Sequence, residues 1–81
     1  MNIILSRTAQ KALSVIPEKQ HDRIIAAIQG LLSVPPKGDI KKMRGKSDEY
    51  RIRIGNYRVI YSCESGNINI LDIGVRGDVY K

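Results

Sequence analysis

Tyr50-Arg51-Ile52-Arg53-Ile54-Gly55-Asn56-Tyr57-Arg58-Val59-Ile60-Tyr61 is the most regular pattern in the chain. Tyr50, Ile52 and Ile54 alternate with Arg51 and Arg53, which is the two-residue period of a strand with one buried face. Gly55-Asn56 interrupts the run. A two-residue loop with Gly first suits a type II′ hairpin turn, where the first central residue needs a positive φ. Tyr57 to Cys63 forms the return strand. The turn then fixes the register: Ile54 faces Tyr57, Arg53 faces Arg58, Ile52 faces Val59 and Tyr50 faces Tyr61. One face of the hairpin is continuous Tyr, Ile and Val, and the other carries Arg51, Arg53 and Arg58. Like charges placed directly opposite destabilise a sheet. Setting Arg53 against Arg58 makes physical sense where an anion sits between them, because guanidinium groups hold phosphate oxygens through paired N–H donors.

Upstream of the hairpin the apolar period changes. Asn2 to Leu5 reads as a short opening strand, and Ser6 as a helix N-cap whose hydroxyl meets a free N–H of the first turn. Ala9, Ala12, Leu13 and Ile16 recur at helical spacing. Pro17 stops that helix and suits the first turn of the next. From Glu18 onward His21, Ile24, Ile25, Ile28, Leu31 and Leu32 line one side of a second helix, which Pro35-Pro36 ends. Lys41-Lys42-Met43-Arg44-Gly45 is a short strand before the hairpin. Beyond the hairpin, Glu64-Ser65-Gly66-Asn67 is a turn and Ile68 to Val75 the last strand. That strand is apolar nearly throughout, as expected of one covered on both faces. The sum is a single α+β domain over residues 1–81, with about four antiparallel strands and an N-terminal two-helix hairpin packed on one face. His21 and Cys63 fall on apolar faces and read as packing residues.

Composition narrows the function classes. Hydrophobic residues make up 42% of the chain and charged residues 27%, the balance of a folded globular protein. Cys63 is the only cysteine and His21 the only histidine, which leaves neither a disulfide framework nor a Cys- or His-based metal cage. No apolar run approaches the roughly 18 residues of a membrane span. Met1 to Arg7 lacks a secretory pattern, so the cytoplasm is the expected compartment. Fourteen Lys and Arg against eight Asp and Glu give a net charge of +6 and a pI near 9.8. The excess is regional: residues 35–58 hold eight of the cations against three acids. Such a block points to a polyanionic partner. Lys37, Lys41, Lys42, Arg44 and Lys46 belong to this block and have the charge and reach for nonspecific contact with a polyanion. At the chain end Arg76 sits at the exit of the last strand, and Gly77 lets the tail turn back. Folded over the arginine face, Tyr80 would lie among cations that favour its phenolate, making it a proton acceptor.

The hairpin run closely resembles the central hairpin of the RelE/ParE superfamily of bacterial and archaeal toxins. The ending Arg76-Gly77-Asp78-Val79-Tyr80 resembles that superfamily's C-terminal Arg-x-x-x-Tyr signature, and Lys41-Lys42-Met43-Arg44-Gly45 its Lys-x-x-Gly segment. The resemblance implies the toxin half of a two-protein toxin–antitoxin module, held inactive by a cognate antitoxin. Within the superfamily the RelE branch cleaves mRNA on the ribosome, and the ParE branch poisons DNA gyrase. The basic-plus-Tyr set resembles the RelE side. By position, the resemblance implies that Arg51, Arg53 and Arg58 bind and stabilise the phosphate. Arg76 would contact it near the leaving oxygen, and Tyr80 would be the general base. The implied reaction is attack of a ribose 2′-OH on the adjacent phosphate, with no metal or cofactor. A ParE-like gyrase inhibitor and a noncatalytic degenerate toxin are the alternatives. The sequence departs from the resemblance at Arg51 and Arg53, where active RelE toxins often carry Lys, and at Val75, where many members carry His. The general acid stays unassigned.

Overall fold

A computed structural model describes residues 2–33, 36, 38–43 and 49–75. They form β1 (Asn2–Leu5), α1 (Arg7–Ser14), α2 (Glu18–Gly30), β2 (Asp39–Lys42), β3 (Glu49–Ile54), β4 (Tyr57–Glu64) and β5 (Asn67–Val75). The strands make one sheet in the order β1-β5-β4-β3-β2. β2 to β5 are the expected antiparallel meander, and β1 adds a fifth strand, parallel to β5 at the edge.

The β3–β4 pairing has the register read from the turn, with Tyr50↔Tyr61, Ile52↔Val59, Arg53↔Arg58 and Ile54↔Tyr57. Gly55 stands at φ 58° and Asn56 keeps a negative φ, as a type II′ turn requires. Tyr50 and Tyr61 stack across the pair, with ring centroids 5.5 Å apart and an interplanar angle of 22°.

β5 departs from the expectation of two-sided cover. The β4–β5 register shifts between Ile60↔Asp72 and Tyr61↔Ile70, leaving Leu71 as the extra residue of a bulge. Ile70 and Ile73 are an odd number of residues apart and would lie on opposite faces of a regular strand. The bulge resets the phase, so Ile68, Ile70 and Ile73 are all buried on the helix-covered face. Ser6 clamps this irregularity. Its hydroxyl donates to the Leu71 carbonyl at 2.8 Å and accepts from the Ala9 N–H at 3.0 Å, capping α1 as expected. Its own N–H donates to the Ile70 carbonyl at 2.9 Å. A single serine thus joins the end of β1, the start of α1 and the bulge.

The helices cover one sheet face. Ala9 and Leu13 of α1 and Ile24 and Ile28 of α2, with Leu31, pack on Ile52, Val59, Tyr61, Ile68, Ile70 and Ile73. Three helix expectations need correction. Pro17 is the N-cap of α2, not a residue of its first turn. α2 ends at Gly30, ahead of the two prolines, and passes into tight turns in which Leu32 N–H donates to the Gln29 carbonyl and Ser33 N–H to the Gly30 carbonyl. Leu31 therefore enters the core while Leu32 stays exposed. Cys63 is exposed as well and does not join the core, lying with Glu64 in the exposed last two positions of β4. β2 begins at Asp39, two residues ahead of the expected Lys41, and Ile40 pairs with Ile52 on the core face; Met43 follows the strand, and Arg44 and Gly45 of the expected strand lie outside the described residues.

Candidate nucleic-acid interface

The sheet face opposite the helices is assembled from two cross-strand rows. Asp39, Arg53, Arg58 and Gly74 form one, running from β2 to β5. Lys41, Arg51, Ile60 and Asp72 form the other. Strand alternation puts all of them on one side, because Ile40, Ile52, Val59 and Ile73 between them point into the core. Four cations therefore occupy adjacent positions on three strands. Lys42 is exposed but alternates onto the helix side, so it does not join them. Arg44, Lys46, Arg76 and Tyr80, also expected in the site, lie outside the described residues.

Among the described residues, two acids border this face. Arg53 Nε approaches Asp39 Oδ2 at 3.8 Å, with both side chains substantially exposed. A single long contact of this kind in water is worth about 0–1 kcal/mol and leaves most guanidinium donors open. Asp72 sits at the far end of the other row. Its Oδ1 accepts the Ile73 N–H at 2.8 Å, which directs the carboxylate to its own backbone. Arg51 faces Lys41 on one side and the nearly buried Ile60 on the other. Its Nη1 is buried without a hydrogen-bond partner. An unmet buried donor costs about 1–3 kcal/mol, so the packing that holds Arg51 is not repaid by an internal acceptor. Arg58 is half-buried beside it.

Asp39 and Asp72, the two acids bordering the cluster, escaped the sequence reading. Asp39 was reachable only through the β2 register, and Asp72 only through the bulge. A second feature also escaped it: a cleft of about 330 Å³ at the hairpin tip, lined by Gln20, Arg23, Gly55, Asn56 and Tyr57. Among the described residues no cluster of three or more His, Cys, Asp or Glu is arranged to hold a metal ion, and no helix is long and apolar enough to cross a membrane.

Fold and face together define a small basic α+β protein that shields one side of its sheet with helices and gathers arginines on the other. Comparison with known proteins makes this specific. The model of the family described as ParE toxin of type II toxin-antitoxin system, parDE, matches residues 3–80. Toxin RelE3 of Methanocaldococcus jannaschii is 38% identical over 63 residues, spanning 73% of this chain and 72% of that protein. In the crystal structure of the RelB-RelE antitoxin-toxin complex from Methanococcus jannaschii, a chain 32% identical superposes with a TM-score of 0.77, covering 90% of this chain and 89% of that one. The archaeal RelE-RelB complex from Pyrococcus horikoshii gives the same identity and TM-score, covering 95% and 96%. The chain belongs to the ParE toxin family of the RelE/ParE superfamily, the toxins of type II toxin–antitoxin systems.

Proposed function

We propose that this toxin is a ribosome-dependent mRNA endonuclease of the RelE type, acting in the cytoplasm without metal or cofactor. The observation that carries the reading is the placement of Lys41, Arg51, Arg53 and Arg58 in adjacent positions on the sheet face opposite the helices. An RNA phosphodiester laid across the two rows receives guanidinium donors from both sides. The negative charge that builds on its non-bridging oxygens during cleavage is then met by groups already in place. In the proposed reaction the 2′-OH of the preceding ribose gives its proton to the Tyr80 phenolate. The 2′-oxygen attacks phosphorus, and the bond to the 5′-oxygen of the next nucleotide breaks. That oxygen leaves with a proton taken from water, giving a 2′,3′-cyclic phosphate and a free 5′-OH. Arg51, Arg53 and Arg58 stabilise charge and do not donate protons, since a guanidinium in a protein keeps its proton. Arg76 contacts the phosphate near the leaving oxygen. Lys41, Lys42, Arg44 and Lys46 add nonspecific attraction to RNA.

The partner proposed for the resting state is a small cognate antitoxin, as in the two archaeal complexes. Its acidic residues would neutralise the arginine face. The matched family description favours a second reading, a gyrase inhibitor built on the same fold. Mapping transcript ends on translating ribosomes, beside a gyrase supercoiling assay, separates the two. The endonuclease reading expects cuts in ribosome-bound mRNA and unimpaired supercoiling. Intact transcripts with inhibited supercoiling would overturn it.

A further inference from the structure

The cleft at the hairpin tip lies on the far side of the turn from the arginine rows. Gln20 and Arg23 reach it from α2, Gly55 and Asn56 are the turn itself, and Tyr57 opens β4. The Arg23 guanidinium rests against Gly55, with its terminal nitrogens 3.4 and 3.5 Å from where a Cβ would stand. A Cβ at Gly55 would meet the guanidinium only at ordinary contact distance, so glycine is called for there by its positive φ of 58° rather than by the cation. Arg23 is exposed, and among the described residues it forms no ion pair. No acid lines the cleft. Its volume of about 330 Å³ falls at the lower end of the roughly 300–1,000 Å³ typical of small-ligand pockets.

Arg53 and Arg58 stand two residues before Gly55 and two after Asn56, about 7 Å of strand from the tip. A nucleic-acid strand that crosses this pair and leaves the sheet at its end passes over Gly55-Asn56 and meets Arg23 next. We propose that the cleft is a subsite for a nucleotide of single-stranded RNA flanking the phosphodiester held on the arginine face, a proposal that rests on the RNA-cleaving reading above. Arg23 pairs with the flanking phosphate. Tyr57 supplies aromatic surface for the base, and the amides of Gln20 and Asn56 supply donors and acceptors for its edge. Cation, aromatic ring and amide together are the usual equipment for holding an unpaired nucleotide.

The test uses the full chain and two RNA probes made uncleavable by 2′-O-methylation. One is a single-stranded oligomer of about ten nucleotides, and the other is a dinucleotide with one phosphodiester. Affinities are measured across a salt series for wild type, Arg23→Gln, Gln20→Ala, Arg53→Gln and, as a charge control on the same helix, Lys19→Gln. Arg23→Gln is expected to weaken the oligomer several-fold and to lower its salt slope by about 0.7, while leaving the dinucleotide unchanged. Gln20→Ala is expected to weaken the oligomer without changing the slope. Lys19→Gln is expected to match wild type in the oligomer and dinucleotide. If Arg23→Gln binds the oligomer like wild type while Arg53→Gln does not, the subsite is wrong and the arginine face stands. If Arg53→Gln also binds both probes like wild type, the RNA-binding face itself fails. If Arg23→Gln spares RNA and weakens only the antitoxin complex, the cleft belongs to a protein partner and the inference is overturned.

Discussion

Arg53 concentrates the tension between folding and function in one side chain. It faces Arg58 directly across the hairpin and touches Asp39 at 3.8 Å on its other side. Removing its charge relieves one repulsion and gives up one weak attraction, so Arg53→Gln should change stability by no more than about 0.5 kcal/mol. The same change should lower cleavage about 10²-fold, the usual cost of one donor to a transition-state oxyanion. Thermal melts beside cleavage rates check this, and a large loss of both would make Arg53 a structural residue. Tyr61 offers a residue-scale measurement with no bearing on activity. Burial, then the charges of Cys63 and Tyr50 when ionised, push its phenol up to about 12 from 10.0. Between about pH 10 and pH 12 the folded protein keeps a proton that the unfolded chain has lost, so its stability falls as pH rises through that window. Tyr61→Phe should flatten that part of the pH profile in chemical denaturation. An unchanged profile would place Tyr61 at its ordinary pKa.

At the scale of elements, two junctions hold the sheet in its working shape. Ser6→Ala removes the cap of α1 and the donor to the Leu71 carbonyl together, an expected loss of about 1–3 kcal/mol. In a domain of this size that is a fall of at least about 4 °C in Tm. Gly38, just before β2, stands at φ 124°, and a Cβ there would come within 2.6 Å of Ile52 Cδ1. Ile52 is buried and cannot easily yield, so Gly38→Ala should cost about 1–3 kcal/mol through strain and overpacking. Differential scanning calorimetry checks both. The hairpin was readable from sequence down to its residue pairs because a two-residue turn fixes register locally. The helices were readable from their spacing. β1 gave no such information: four residues of strand do not specify a neighbour, and its parallel partner is more than 60 residues away. The bulge did leave a trace in the apolar positions 68, 70, 71 and 73, whose phase breaks at Leu71. That same trace also fits a strand buried on both faces, so the pattern alone does not reveal the bulge.

On the scale of the whole molecule, charge and size work together. An 81-residue chain without a disulfide has a small core, and a net charge of +6 works against compaction. A bound polyanion should therefore stabilise the fold. Ligand at 100 times its Kd adds about 2.7 kcal/mol. Uncleavable single-stranded RNA should raise Tm at low ionic strength, and the gain should shrink as salt rises. The regional concentration of cations in residues 35–58 was plain in the sequence. Their division between the two sheet faces was not, because Lys41 and Lys42 are neighbours in the chain and only the β2 pairing sends them to opposite sides. The most direct test of the arginine face is end-group analysis of mRNA recovered from ribosomes treated with wild type or with Arg53→Gln. Wild type should produce fragments with 2′,3′-cyclic phosphate and 5′-OH ends, and the equally stable variant should produce almost none. Transcripts left whole by wild type, or cut as fast by the variant, would contradict it.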